Sequence, residues 1–81
     1  MPKPSLEIVL YSRAGCHLCD DAMRLLRDRQ KRRDFHLREI DVDSDSALAS
    51  QFGECVPVVV IDGKVRFRGR IEPALLDRFF A

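Results

Sequence analysis

The sequence of 81 residues has no tryptophan, a single tyrosine and no apolar run of the length that a membrane span requires. A transmembrane helix needs about 20 consecutive apolar residues, so we expect no membrane-spanning segment. The opening residues, Met1 to Ser5, lack the apolar core of a secretory signal peptide. A net charge of only +1 provides no strong field to attract nucleic acid or an anionic membrane surface. These absences favour a cytoplasmic protein without a nucleic-acid or membrane partner.

The chain is also short and poor in cysteine. A chain of 81 residues has room for one hydrophobic core, so we interpret residues 1–81 as a single domain and expect a monomer. Hydrophobic residues make up 46% of the chain and charged residues 33%, a balance typical of globular rather than disordered proteins. Small secreted scaffolds usually carry an even set of about four to eight cysteines, whereas this chain has 3. An extracellular disulfide scaffold is therefore not indicated.

Hydrophobic periodicity and turn residues predict the element order β-α-β-α-β-β-α. Strands are predicted at 6–11, 35–42, 56–61 and 65–68, and helices at 16–33, from a cap at 43–45 to residue 52, and at 71–80. The first β-α-β unit predicts parallel strands joined by a right-handed crossover. Asp62-Gly63 predicts a tight hairpin between the last strands. The expected fold class is α/β, with a four-stranded mixed sheet flanked by helices.

The same patterns predict which side chains form the core. The predicted apolar stripe of the first helix consists of Leu18, Ala22, Leu25 and Leu26, and that of the last helix consists of Leu75, Leu76, Phe79 and Phe80. Val65 and Phe67 are predicted to share the buried face of the last strand. Gly53 follows the middle helix at the C′ position, where glycine commonly adopts a left-handed conformation.

A pair of cysteines forms the motif Cys16-His17-Leu18-Cys19 between the first predicted strand and the first predicted helix. In a reducing compartment such a CxxC pair is more often redox-active or metal-binding than a structural staple. A helix N-terminus offers partial positive charge and free N–H donors, which stabilise the thiolate of Cys16. Three residues of helix rise by about 4.5 Å, so both sulfurs fall on one side within disulfide reach. We therefore expect Cys16 to be the attacking thiol and Cys19 the resolving thiol.

Several alternatives stay open at this point. Cys16 and Cys19 are alternatively small buried residues, or they join Cys55, with His17 or His36, in a zinc or iron–sulfur site. Cys55 on its own is interpreted as an apolar filler, a third redox thiol or a metal ligand. A non-enzymatic interaction domain that kept the fold is a further alternative. His17 either favours the Cys16 thiolate when it is protonated or simply faces solvent.

The stretches LYSRAGCHLC, from Leu10 to Cys19, and VPVVVIDGK, from Val56 to Lys64, resemble the glutaredoxin branch of the thioredoxin fold. The predicted element order matches as well, so the resemblance covers nearly the whole chain, and it points to small glutaredoxin-like proteins with a CxLC centre. It implies a thiol–disulfide oxidoreductase of electron transport that needs no resident cofactor. A disulfide-containing protein or glutathione is the implied partner, with glutathione or a reductase as the electron donor.

The resemblance also implies a set of substrate-binding residues. The Val56–Pro57 peptide is implied to be cis and to face the dithiol, with the backbone of Val56 pairing with the substrate. Arg13 matches a basic residue that attracts a glutathione carboxylate in glutaredoxins, and a plain surface charge is the alternative. Gly69 corresponds to the turn that holds the γ-glutamyl end of glutathione. The implied binding residues are Arg13, His17, Leu18, Val56, Pro57 and Gly69.

Overall fold

A computed structural model of the protein describes residues 6–80. Within this range the chain forms four strands and three α-helices in the order β-α-β-α-β-β-α, as the sequence predicts. The elements are β1 (Leu6–Ser12), α1 (His17–Gln30), β2 (Phe35–Asp41), α2 (Ser46–Phe52), β3 (Val58–Ile61), β4 (Lys64–Arg68) and α3 (Pro73–Phe80). A single 3₁₀ turn, Val42–Ser44, precedes α2. None of the helices in the described range is long and apolar enough to cross a membrane.

The strands form one mixed sheet of four strands in the order β2-β1-β3-β4. β1 runs parallel to β2, with Leu6 opposite Phe35, and antiparallel to β3. β3 and β4 form the antiparallel hairpin that Asp62-Gly63 predicts. These turn residues have φ values of 51° and 83°, and a hairpin turn of type I′ requires positive φ at both central positions. The α/β fold class and the mixed four-stranded sheet are thus confirmed.

Helices cover both faces of the sheet, and each face has its own apolar cluster. α1 and α3 cover one face, where the buried residues are Ile8, Leu10, Ala22, Leu26, Phe35, Val59, Ile61, Ile71, Leu76 and Phe80. α2 covers the other face, where Val42, Phe52 and Val58 are buried. Tyr11 stacks on Phe52 there, with ring centroids 4.8 Å apart. β3 contributes to both clusters, which explains why its sequence is a continuous apolar run.

The apolar stripes of α1 and α3 are narrower than the sequence predicts. Leu18 is 42% exposed and Leu75 is 49% exposed, so neither belongs to the core. Each directly precedes a residue of the buried face, Cys19 in α1 and Leu76 in α3, which are 1% and 0% exposed. Successive helical residues are rotated by about 100° around the axis. Both leucines therefore lie at the border of the buried face of their helix. At such positions the spacing of apolar residues along the sequence does not determine whether a side chain is buried.

The burial of β4 also differs from the prediction. Val65 is 39% exposed, whereas Phe67 packs against the cluster under α1 and α3. The strand register explains the difference, because Phe67 lies opposite Val59 while Val65 lies opposite the next residue, Val60. This β-bulge places an extra residue, Arg66, in β4 and turns Val65 and Phe67 to opposite faces of the sheet.

An ion-pair cluster joins α1 to α3 at the surface. Nε and Nη2 of Arg29 donate to the carboxylate of Asp77 at 2.5 and 3.1 Å, and Nη1 donates to Asp28 at 2.6 Å. The hydrogen bond to Asp77, followed by that to Asp28, raises the pKa of Arg29 above its ordinary value. The cluster connects the C-terminal half of α1 to α3 at the surface.

Candidate active site

Cys16 and Cys19 form a disulfide at the N-terminus of α1, with their Cα atoms 5.2 Å apart. Cys16 is the N-cap of this helix, with an extended backbone (φ −92°, ψ 108°), and its Sγ accepts a hydrogen bond from the backbone N–H of Cys19 at 3.1 Å. The two cysteines differ in exposure, since Cys16 is half-buried and Cys19 is 1% exposed. Cys16 is therefore the more accessible of the two cysteines. Attack at Cys16 and resolution by Cys19 require this asymmetry.

The loop from Arg13 to Gly15 carries the chain from β1 into α1. The backbone N–H of Cys16 donates to the carbonyl of Arg13 at 3.2 Å, which closes a turn. Gly15 has a φ of 77°, a left-handed conformation that glycine adopts at no steric cost. The turn therefore sets the position from which the Cys16 sulfur caps the helix.

A cis peptide precedes β3 next to the loop that carries Cys16. The Val56–Pro57 peptide is cis, as the resemblance implies. β1 and β3 are antiparallel neighbours with Tyr11 opposite Val58, so the segment before β3 lies beside the end of β1 that leads to Cys16. Pro57 is fully buried and Val56 is half-buried. Among residues 6–80, no backbone hydrogen bond uses the N–H or C=O of Val56.

Gly69 holds this same segment by backbone hydrogen bonds. Its N–H donates to the carbonyls of Cys55 at 3.1 Å and Pro57 at 2.8 Å. Its φ of 69° is the left-handed conformation that favours glycine. The N–H of Gly69 is thus already used to fix the backbone on either side of Val56.

Arg13 is bound by groups of the protein itself. Its Nε and Nη2 donate to the two carboxylate oxygens of Asp43 at 3.0 and 3.1 Å, and its Nη1 donates to the carbonyl of Gly53 at 3.0 Å. The sequence predicts Gly53 at the C′ position after α2, whereas in the structure it is the C-cap residue of this helix, with a φ of −54° and a ψ of −34°. Glycine is needed there for space. A Cβ atom would meet the carbonyl of Ala49 and would lie 2.7 Å from Nη2 of Arg13.

His17 and Leu18 lie in the first turn of α1 and are both exposed. Leu18 lines an open groove of about 460 Å³ between α1 and the segment that precedes α3. The apolar part of its lining consists of Leu18, Ala22, Leu25, Ile71 and Pro73. The two residues between the cysteines are therefore accessible, and Leu18 is continuous with an apolar surface.

Cys55 is a half-buried free thiol that packs against the cluster under α2. Among residues 6–80, no group of three or more histidine, cysteine, aspartate or glutamate side chains is arranged to hold a metal ion. Cys55 has the surroundings of an apolar filler.

Asp43 and Gly53 belong to the site through Arg13, yet the sequence offers no local signal for either contact. Asp43 lies 30 residues and Gly53 lies 40 residues from Arg13. Neither helical nor strand periodicity relates residues so far apart. Only the topology of the fold indicates these contacts, because it brings the ends of β1, β2 and α2 to the same edge of the sheet.

A helix that joins two parallel strands, a CxxC disulfide at its start and a cis-proline before the next strand together define a thioredoxin-fold protein. Solved structures show the same fold. A mutant thioredoxin from Halobacterium salinarum is similar with a TM-score of 0.71 at 23% identity, and the match covers 94% of this chain and 72% of that one.

Within this fold, the chain belongs to the family described as Glutaredoxin-like domain (DUF836), whose profile matches residues 7–81. A glutaredoxin-like protein of Dictyostelium discoideum, a homolog of YDR286C by its name, is 33% identical over 75 aligned positions, and the match covers 84% of this chain and 68% of that protein. Protein Ne2328 from Nitrosomonas europaea has a solution structure with a TM-score of 0.80 at 26% identity, covering 98% of this chain and 95% of that one. The resemblance to glutaredoxin-like proteins is confirmed, and a redox role for the cysteine pair is supported in general terms.

Proposed function

We propose that this protein is a thiol–disulfide oxidoreductase in which Cys16 attacks a substrate disulfide and Cys19 resolves the mixed disulfide. The observation that carries this proposal is the asymmetric cysteine pair at the start of α1, with Cys16 half-buried and Cys19 1% exposed. The thiolate is the reactive form of a cysteine. After reduction, the Cys19 N–H and the positive end of α1 stabilise a thiolate on Cys16.

The proposed reaction consists of two exchanges. The Cys16 thiolate attacks one sulfur of the substrate disulfide, a bond forms between Cys16 and that sulfur, and the other substrate sulfur leaves as a thiolate that takes up a proton. Cys19 then loses its proton to solvent and attacks the Cys16 sulfur, which releases the second substrate thiol. The substrate disulfide is reduced to a dithiol, and the Cys16–Cys19 dithiol is oxidised to a disulfide. An external thiol reductant restores the dithiol.

The backbone of Val56 is the proposed docking point for the substrate chain. Its N–H and C=O have no backbone partner within the described residues, and an extended peptide can pair with such groups as an added strand. We propose that Pro57 shapes this edge, while His17 and Leu18 contact the partner beside Cys16.

We further propose a disulfide-containing protein or glutathione as the partner, with glutathione or a thiol reductase as the electron donor. A reducing compartment such as the cytoplasm keeps thiols reduced, and a catalytic dithiol there cycles between its two states. We propose a monomer that works there without a resident cofactor and without a nucleic-acid or membrane partner.

Dithiothreitol-driven reduction of insulin disulfides tests the proposed function. We expect the wild-type protein to accelerate insulin precipitation, and Cys55→Ala to retain the wild-type rate within about twofold because the two-step exchange uses only the CxxC pair. Loss of activity in Cys55→Ala would show a third redox thiol that this mechanism omits. A wild-type protein that gives no acceleration would contradict the proposed function and favour an interaction domain.

A further inference from the structure

Arg13 connects the two segments that flank the disulfide. Its carbonyl accepts the backbone N–H of Cys16 at 3.2 Å. Its guanidinium donates to Asp43 in the 3₁₀ turn and to the carbonyl of Gly53 at the end of α2. The chain runs from Gly53 almost directly to Val56. One residue thus links the turn that positions the Cys16 sulfur to the segment that offers its backbone to a substrate.

We call the contact between Arg13, Asp43 and Gly53 the arginine clamp. The surroundings of Asp43 and of Gly53 both favour this contact. Asp43 is held in place because its backbone N–H donates to the carboxylate of Asp41 at 2.9 Å. A forked contact between arginine and carboxylate fixes the orientation of the guanidinium plane as well as its position. Gly53 leaves the space that this plane occupies, since a Cβ atom there would lie 2.7 Å from Nη2.

We propose that Arg13 is a positioning residue, and that the arginine clamp holds the Val56 backbone at a fixed distance from the Cys16 sulfur, so that a docked polypeptide presents its disulfide for attack. This role rests on the proposed function, because it concerns substrates that pair with Val56. The glutathione-binding role that the resemblance implies would require the guanidinium to leave Asp43. A reagent small enough to reach Cys16 without docking does not depend on the clamp.

Substitutions on either side of the clamp test this role. Arg13→Gln and Asp43→Asn each remove the forked contact, and Arg38→Gln, at an exposed position of β2, controls for the loss of one positive charge. We expect each clamp variant to lower kcat/KM for insulin reduction about tenfold, because small misplacements of reacting groups cost up to about 100-fold. The double variant should be no slower than either single one, since both remove the same contact. Arg13→Lys should not restore the rate, because an ammonium cannot make the forked contact.

Alkylation of reduced Cys16 by iodoacetamide separates positioning from a general structural defect. We expect this rate to stay at the wild-type value in Arg13→Gln and Asp43→Asn. An equal loss of alkylation and of insulin reduction would overturn the positioning role. The positioning role would also be overturned if Arg13→Gln lost only glutathione-dependent turnover while Asp43→Asn kept it. That result would identify Arg13 as a glutathione ligand. If the wild-type protein reduces insulin and the clamp variants reduce it at the rate of Arg38→Gln, the positioning role of Arg13 is refuted and the proposed function stands. If the wild-type protein does not reduce insulin, both the proposed function and the positioning role are refuted.

Discussion

Replacement of Cys16 by serine is expected to lower insulin-disulfide turnover by at least about 100-fold, to the rate of dithiothreitol alone, because the variant has no attacking thiolate. Cys19 cannot take over the role, since it is 1% exposed beneath the start of α1. Cys55 is half-buried against the cluster under α2 and is the matched control, as Cys55→Ser removes a thiol of the same size elsewhere in the fold. The turbidity rate of reduced insulin measures all of these variants.

Replacement of Cys19 by serine should have a different result from replacement of Cys16. The first exchange remains possible, but the mixed disulfide on Cys16 has no neighbouring thiol to release it. We expect a covalent Cys16–substrate adduct to accumulate, and intact mass measurement under non-reducing conditions detects it. Equal and full activity in both single variants would contradict the assignment of the two thiols.

Leu76→Ala is expected to lower the free energy of unfolding by about 2–5 kcal/mol, the usual cost of truncating a buried leucine. Leu76 is 0% exposed in the cluster between α3 and the sheet. A small domain has a total stability of only about 5–15 kcal/mol, so a substantial fraction of the molecules should unfold in mild denaturant. Urea titration followed by circular dichroism at 25 °C measures the change.

The neighbouring residue provides a matched control for this substitution. Leu75 is on the same helix and is 49% exposed, so we expect Leu75→Ala to change the free energy of unfolding by about 0.5 kcal/mol or less. The two substitutions remove the same side-chain atoms from adjacent positions of α3. Equal losses in both variants, or a larger loss at Leu75, would show that α3 is rotated relative to the sheet.

The elements and their order were predictable from the sequence because each has a local signal. Strand β3 is a continuous apolar run, Asp62-Gly63 is a hairpin turn, and the aspartate at position 45 caps α2 through the N–H of Ala47. The sheet order then follows from the crossover rule and the hairpin. Local patterns of this kind depend only on neighbouring residues, so one sequence is enough to reveal them.

Details that depend on contacts between distant segments were not predictable in this way. The bulge at Arg66 changes the faces of Val65 and Phe67, and it arises from the pairing of β4 with β3 rather than from the alternation within β4. The exposure of Leu18 and Leu75 depends on how each helix is rotated against the sheet.

The candidate site was likewise predictable from the sequence only in part. Cys16 and Cys19 were identified by their spacing and by their place between a strand and a helix, and the structure places them at disulfide distance. The contacts of Arg13 were not identified, because its partners lie 30 and 40 residues away. Its match to a basic residue of glutaredoxins suggested a ligand, whereas the structure shows an acidic partner within the protein.

The reversible redox equilibrium of the Cys16–Cys19 pair tests the central claim most directly. Metal-free protein would be equilibrated in glutathione buffers of graded potential, quenched by alkylation and analysed by mass. We predict one two-electron transition between about −180 and −270 mV, the range of glutaredoxins, thioredoxin and disulfide isomerase. A protein in which no disulfide between Cys16 and Cys19 forms at any potential would contradict the claim that this pair exchanges disulfides.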